Sequence, residues 1–269
     1  MAVVGIDFGS DSSRIASFVD AIGYKQRIIG TAGKGTMVSN AANFVFGFKS
    51  LFGKQIDDPE IERHQHYSGA MLIENQKGQL CFQVQDKNGI IQIPITTIAA
   101  TFFFKLFEQI QAGDGSKHAS VITLSVPSFF TQEQRVSVIE AVQICNIAEK
   151  ITFISDIAAL AMEYTTNNWG KLFDKQQTQT SESKDKKYEP IQHEQQLKYF
   201  ALFILLGHSY STAAVIRFSQ DSTSVLSSVS SEVISGQEID RRMAKYIASI
   251  IEHRQHLAEG TVWDDGPRT

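Results

Sequence analysis

Asp7, Gly9, Ser10, Asp11 and Ser12 follow the apolar run of residues 3–6 in quick succession. A carboxylate, a glycine and small polar residues at the end of a strand suit phosphate chemistry. Backbone N–H groups and hydroxyls across Ser10, Asp11 and Ser12 can cradle an anion, and Asp7 can hold a divalent metal or its water. Gly9 lets the phosphate reach the backbone with no Cβ in the way. A second copy of the pattern stands at residues 203–215, where an apolar run meets Gly207, His208 and Ser209 before another β-like segment. Aligning Gly9 with Gly207 sets Leu205 opposite Asp7, so the first copy keeps its acid and the second does not. Either turn alone reads as an ordinary glycine hairpin. In register, the pair predicts two similar lobes that close on phosphates across a cleft.

The elements that must carry these loops can be read from periodicity. Residues 3–19 read as the first hairpin, and residues 43–53 as a helix-compatible segment bearing Lys49. Residues 70–74, 80–85 and 90–95 read as short strands separated by the turn pairs Lys77-Gly78 and Asn88-Gly89. Residues 96–111 predict a helix with Ala99, Phe103, Leu106, Phe107 and Ile110 on one face, and Phe102 to Phe104 as core. Residues 120–126 form a buried-type strand ended by Pro127. Thr131 and Gln134 then make a capping box for a helix over 132–147. Another apolar strand, 151–154, leads to Asp156 at the mouth of the next helix, where an N-cap is the ordinary role for an aspartate. Alternating strands and helices indicate an α/β architecture.

Residues 167–196 break that rhythm, and their polar composition predicts a disordered insertion. Residues 225–233 then read as a strand. Residues 237–253 read as an amphipathic helix with Ile239, Met243, Tyr246, Ile247 and Ile250 inward, and residues 257–269 as a frayed tail. The 269 residues, 42% apolar and 20% charged with a net charge of −4, describe a globular protein with ample core. No basic stripe argues for nucleic acid. The densest apolar run, 98–106, is too short for a bilayer, so no membrane is expected as partner. Cys81 and Cys145 have no metal-binding spacing and read as reduced thiols, and His64 and His66 read as surface residues. The expected compartment is cytoplasmic.

The motifs in order resemble the nucleotide-binding domain of the heat shock protein 70 superfamily, over about residues 3 to 250. Gly5-Ile6-Asp7-Phe8-Gly9-Ser10 is similar to the first phosphate loop. Asn43-Phe44-Val45-Phe46-Gly47-Phe48-Lys49-Ser50-Leu51-Phe52-Gly53 is similar to the segment with the family's catalytic lysine, which falls on Lys49. Ser125-Val126-Pro127-Ser128-Phe129-Phe130-Thr131 resembles the proline switch segment. Asp156, in Ser155-Asp156-Ile157-Ala158-Ala159, stands where the family has an acid near the nucleophilic water. Gly207-His208-Ser209 stands at the second phosphate loop, in wording that resembles the heat shock protein 110-like branch of exchange factors. Departures accompany the likeness. Leu205 replaces a metal-ordering aspartate, Asp156 is shorter than the usual glutamate, and the part of the second lobe that completes the adenosine pocket does not follow.

The resemblance implies an actin-like ATPase fold of duplicated ribonuclease-H-like lobes with the second incomplete. Lobe I would span 3–166, with lobe II beginning near 155 and continuing, in part, over 197–256. It implies ATP or ADP with Mg2+ as cofactors and another heat shock 70 chaperone or co-chaperone as partner. The catalytic positions would be Lys49 and Asp156, the metal position Asp7, and the nucleotide-binding positions Gly9, Ser10, Asp11, Ser12, Gly207, His208 and Ser209. The implied function is a chaperone ATP-binding domain, deficient in hydrolysis, that assists protein folding in the stress response. A 110-like nucleotide exchange co-chaperone and an inactive truncated product are the alternatives.

Overall fold

The computed structural model describes residues 3–7, 15–21, 24–29, 39–65, 68–86, 89–114, 118–173 and 198–263. The chain opens with β1 (Val3–Asp7), β2 (Ile15–Ala21) and β3 (Tyr24–Ile29). Two 3-10 turns, Ala41–Asn43 and Phe48–Leu51, precede α1 (Pro59–Gln65). A meander of β4 (Met71–Glu74), β5 (Leu80–Asp86) and β6 (Gly89–Pro94) feeds α2 (Ile95–Asp114). Then come β7 (Ala119–Val126), α3 (Gln132–Cys145), β8 (Ala148–Ser155) and α4 (Asp156–Phe173). Past residue 198, β9 (Tyr199–Leu206), β10 (Ser211–Phe218) and β11 (Thr223–Ser231) lead to α5 (Gly236–Gln255).

The sheet that positions the site is parallel, in the order β1-β7-β8. β7 is apolar along most of its length, as a strand covered on both faces of its sheet is, and β1 and β8 pair its two edges. The register places Asp7 beside Ser125 and Val126 beside Ser155, so the three carboxyl ends lie level. Ligands of open α/β sheets bind at that edge. The expected hairpin over 3–19 is corrected here. Among the described residues β1 pairs with β7 and β2 pairs with β3. Residues 8–14, with Gly9, Ser10, Asp11 and Ser12, lie outside the described residues.

The segment 43–53 is not a continuous helix. Gly47 (φ +67°) and Gly53 (φ +64°) both adopt left-handed backbone, which interrupts α-helix and leaves a short 3-10 turn between them. A Cβ on Gly47 would come within 2.8 Å of His64 Nε2, so the imidazole packs where only a glycine leaves room. His64 is therefore buried beneath this segment and against Phe82, not on the surface. His66 lies outside the described residues. The helix expected over 96–111 starts at Ile95 and runs to Asp114. Phe102 and Phe103 enter the core while Phe104 is 46% exposed, since three consecutive residues cannot share one helical face. The capping box of α3 forms as expected, with the Gln134 N–H donating to Thr131 Oγ1 and the Thr131 N–H to Gln134 Oε1.

Helix α4 continues to Phe173, so the expected insertion cannot begin at 167. Residues 174–197 lie outside the described residues. Helix α5 departs most from expectation. Ile239, Met243, Tyr246 and Ile247 are all more than half exposed, and the buried positions are Ala248 and Glu252. The helix is held at its ends instead of along an apolar stripe. Its first amides bond to the turn at 207–208, and Glu252 Oε1 accepts from the Val262 N–H at 2.7 Å. That bond also gathers residues 257–263 into turns instead of a frayed tail; residues 264–269 lie outside the described residues.

Candidate functional site

Lys49 lies in the turn after Gly47 and is only 4% exposed, between the buried residues Phe48 and Phe52 in sequence. A buried ammonium retains its charge only with polar or aromatic company. Part of that company is Tyr210, whose ring centroid lies 5.8 Å from Lys49 Nζ. Tyr210 comes from the turn between β9 and β10, so that turn and the Lys49 segment face each other. Phe46 adds a contact, packing edge-on against the His208 ring with centroids 5.5 Å apart.

Asp156 opens α4 directly after β8. The cap role falls to its neighbour, since Ser155 Oγ accepts from the Ala158 N–H at 3.2 Å. Asp156 Oδ1 accepts from the Ile157 N–H at 2.7 Å, and Oδ2 takes the Tyr210 hydroxyl at 2.8 Å. Lys49 and Asp156, far apart in sequence, thus meet around one phenol. Phe129, two residues past Pro127, closes a further side with its ring 5.0 Å from the Tyr210 ring at 86°. A cavity of about 160 Å³ adjoins this cluster, lined by Lys49, Phe129, Thr131, Gln134, Ser209 and Tyr210.

The second glycine turn is tied off internally. The Gly207 N–H donates to the Tyr210 carbonyl at 3.0 Å, and a Cβ at position 207 would lie 2.4 Å from that oxygen. The turn itself therefore requires glycine. The Gly236 and Gln237 amides at the start of α5 donate to the Gly207 and His208 carbonyls at 3.0 and 2.8 Å. Helix N-termini favour anions through free amides, and here those amides fasten the turn. Leu205 packs with the apolar cluster of Ile157, Ala161 and Phe218 and offers no oxygen to a metal. Among the described residues no group of three His, Cys, Asp or Glu side chains could hold a metal ion. Asp7 reaches the same sheet edge through its backbone register.

Of the predicted positions, the structure brings together Lys49, Asp156 and the turn 207–209. Tyr210 and Phe129 were missed. Their signal was present: the alignment of Gly9 with Gly207 sets Tyr210 opposite Ser12, an aromatic ring in a loop of small residues. A transferred phosphoryl needs a cation and a water-orienting group around it, with the water in line. The phenol stands on Asp156 and beside Lys49.

The fold is of the α/β class, with a parallel sheet whose carboxyl edge faces a glycine turn from a second sheet. The Hsp70 protein family model matches residues 9–260, and the chain belongs to that family, whose fold is the actin-like ATPase fold. It is similar to a heat shock protein homolog of Lachancea kluyveri, 23% identical over 237 residues, 88% of this chain and 31% of that protein. It is similar to heat shock protein hsp88 of Neurospora crassa, 26% identical over 278 residues, 96% of this chain and 35% of that protein. With a heat shock protein homolog of Saccharomyces cerevisiae the identity is 22% over 237 residues, 88% of this chain and 31% of that protein. These relatives belong to the 110-like branch that the second glycine turn resembled. The chain spans about a third of the length of the curated relatives it matches.

Proposed function

We propose that this chain is a nucleotide-binding domain of heat shock 70 type, deficient in ATP hydrolysis, that acts with another chaperone in protein folding. The observation that carries this reading is the meeting of Lys49 and Asp156, at the carboxyl edge of the parallel sheet, with the 207–210 turn. Residues 3–166 form lobe I in this reading, with lobe II beginning near 155 and continuing over 197–256. Asp7 would hold Mg2+ through water, and the loop at 9–12 would face Gly207, His208 and Ser209 across the phosphates of ATP or ADP. The reading includes a cytoplasmic location. Among the described residues no helix is long and apolar enough to cross a membrane.

Thermal melting with and without magnesium and ADP tests it. Ligand at a hundred times its dissociation constant stabilises the native state by about 2.7 kcal/mol. At about 2–4 °C per kcal/mol that is a shift of roughly 5–10 °C. Asp7→Ala and Lys49→Ala should each diminish the shift; a shift unchanged in both variants overturns the assignment. Single-turnover assays with radiolabelled ATP should give negligible hydrolysis.

A second reading, a nucleotide exchange co-chaperone, is favoured by Leu205 at the metal-ordering position and by the likeness to hsp88 and the yeast heat shock protein homologs. It predicts that adding this chain accelerates release of labelled ADP from an active heat shock 70 chaperone.

A further inference from the structure

Tyr210 is held on several sides by groups of different chemistry. Its hydroxyl donates to Asp156 Oδ2 at 2.8 Å, its ring lies 5.8 Å from Lys49 Nζ, and Phe129 meets it edge-on at 5.0 Å. Its backbone is fixed as well, because its carbonyl takes the Gly207 N–H in a turn that no other residue at position 207 could make. The phenol therefore fills the space between the ammonium and the carboxylate that would flank a reacting phosphoryl. Phosphoryl transfer needs that space for the phosphorus, its oxygens and an in-line water. Tyr210 lines the adjoining cavity of about 160 Å³ together with Ser209 and Thr131.

We infer that Tyr210 is a built-in occupant of the third-phosphate position, so that this site takes nucleoside diphosphates and discriminates against triphosphates. The inference rests on the nucleotide-binding reading above and deepens it. Discrimination here comes from a steric element set against the longer ligand instead of from added contacts to the shorter one. The ring excludes the phosphoryl, and the hydroxyl bond to Asp156 keeps the ring in place.

Isothermal titration of the whole chain with MgADP and MgATP tests this, using wild type, Tyr210→Ser, Tyr210→Phe and Phe129→Ala. Wild type is expected to bind ADP at least about tenfold tighter than ATP. Tyr210→Ser should bring ATP to within about threefold of ADP, mainly by tightening ATP. Tyr210→Phe keeps the ring and should keep most of the discrimination. Phe129→Ala frees one side of the ring and should reduce it, which preserves the test if Tyr210→Ser does not fold. Equal affinities in wild type overturn the inference and leave the nucleotide reading standing. An unchanged ratio in both Tyr210→Ser and Phe129→Ala also overturns it. Binding of neither nucleotide to any folded variant overturns both readings together.

Discussion

Among the described residues, twenty-five buried apolar side chains form one cluster around Phe103, most of them from the β4–β6 meander, α2, β7 and α3. Around Phe218, the corresponding cluster among the described residues is five side chains from α4 and β10, with inward side chains of β9 packed on it. The first region encloses its core between helices and sheets. The second lays α4 against one face of a three-stranded sheet and leaves Phe200, Leu202, Ile204 and Leu206 of β9 more than 60% exposed on the other. The candidate site straddles the two. Lys49 and Phe129 come from the well-packed region, Tyr210 from the thin one, and Asp156 stands at the seam. The Asp156–Tyr210 bond and the Phe129–Tyr210 contact therefore couple a rigid wall to a weakly braced one, and the bracing of α5 through its end contacts extends that weak side.

The largest test removes a core ring from each region. Phe103→Ala should destabilise by about 3–5 kcal/mol, read from urea denaturation. Its cavity has neighbours on every side, so the whole cooperative transition should move. Phe218→Ala removes an equally buried ring from a small cluster. Its effect should appear first as faster hydrogen exchange in β9 to β11, with a smaller shift of the main transition. Equal shifts of the main transition in both variants would break the contrast between the regions.

Acid should sharpen the same contrast. Burial pulls the His64 imidazole from 6.5 down to about 4, so it stays neutral in the folded chain and gains a proton on unfolding. A depressed folded pKa means that stability is full above 6.5 and drains as pH falls towards 4. The loss amounts to roughly 3 kcal/mol by pH 4. In the thin region, Arg241 and Arg242 bonded to Glu238 hold its carboxyl at about 2. Its contribution is full above the ordinary carboxylate range and is lost as pH falls through about 2. On acidification the well-packed region should therefore loosen first. His64→Leu should flatten the stability curve between pH 7 and 4.5, measured by urea midpoints at each pH; a parallel curve would mean that another group carries the loss.

What was legible in the sequence follows the same division. The capping box of α3, the buried strand β7 and the core helix α2 carry local signals: a cap pair, a continuous apolar run and a 3.6-residue period. The misread positions turn on contacts distant in sequence. His64 is buried because Gly47, distant in sequence, adopts a left-handed turn that makes room for it. Helix α5 has a good apolar period, yet its end contacts, not its stripe, decide how it sits. The motifs around Lys49 and Asp156 pointed to them, and the structure brings both to Tyr210. Tyr210 left only a weak mark, an aromatic ring in a loop of small residues, because which groups the turn faces is written in no local pattern.

The helix caps give a smaller comparison of about 1 kcal/mol each. Thr131→Ala breaks a reciprocal cap on α3 and should cost about that amount in global stability. Ser235→Ala removes the bond from the Glu238 N–H to Ser235 Oγ at the start of α5. Its cost should fall mostly on α5 and the 207–210 turn that α5 fastens, read as local exchange of the Gly236 and Gln237 amides. Protection of those amides unchanged in Ser235→Ala would separate the turn from the helix.

The smallest effect belongs to the outward face of β9. Tyr199, Ala201, Phe203 and Leu205 point towards α4, and Leu202 points away with 65% of its surface exposed. Exposed substitutions away from caps and cores usually move stability by no more than about 0.5 kcal/mol. Leu202→Ser should therefore leave the urea midpoint almost unchanged. Because the same alternation sets Phe200, Ile204 and Leu206 beside it, the substitution should lower concentration-dependent association in sedimentation, as expected for a contiguous apolar stripe. A loss of more than about 1.5 kcal/mol, the scale of a buried leucine, would mean that this face is covered in solution. The thin region would then be as enclosed as the first, and the contrast on which the two sides of Tyr210 differ would fall.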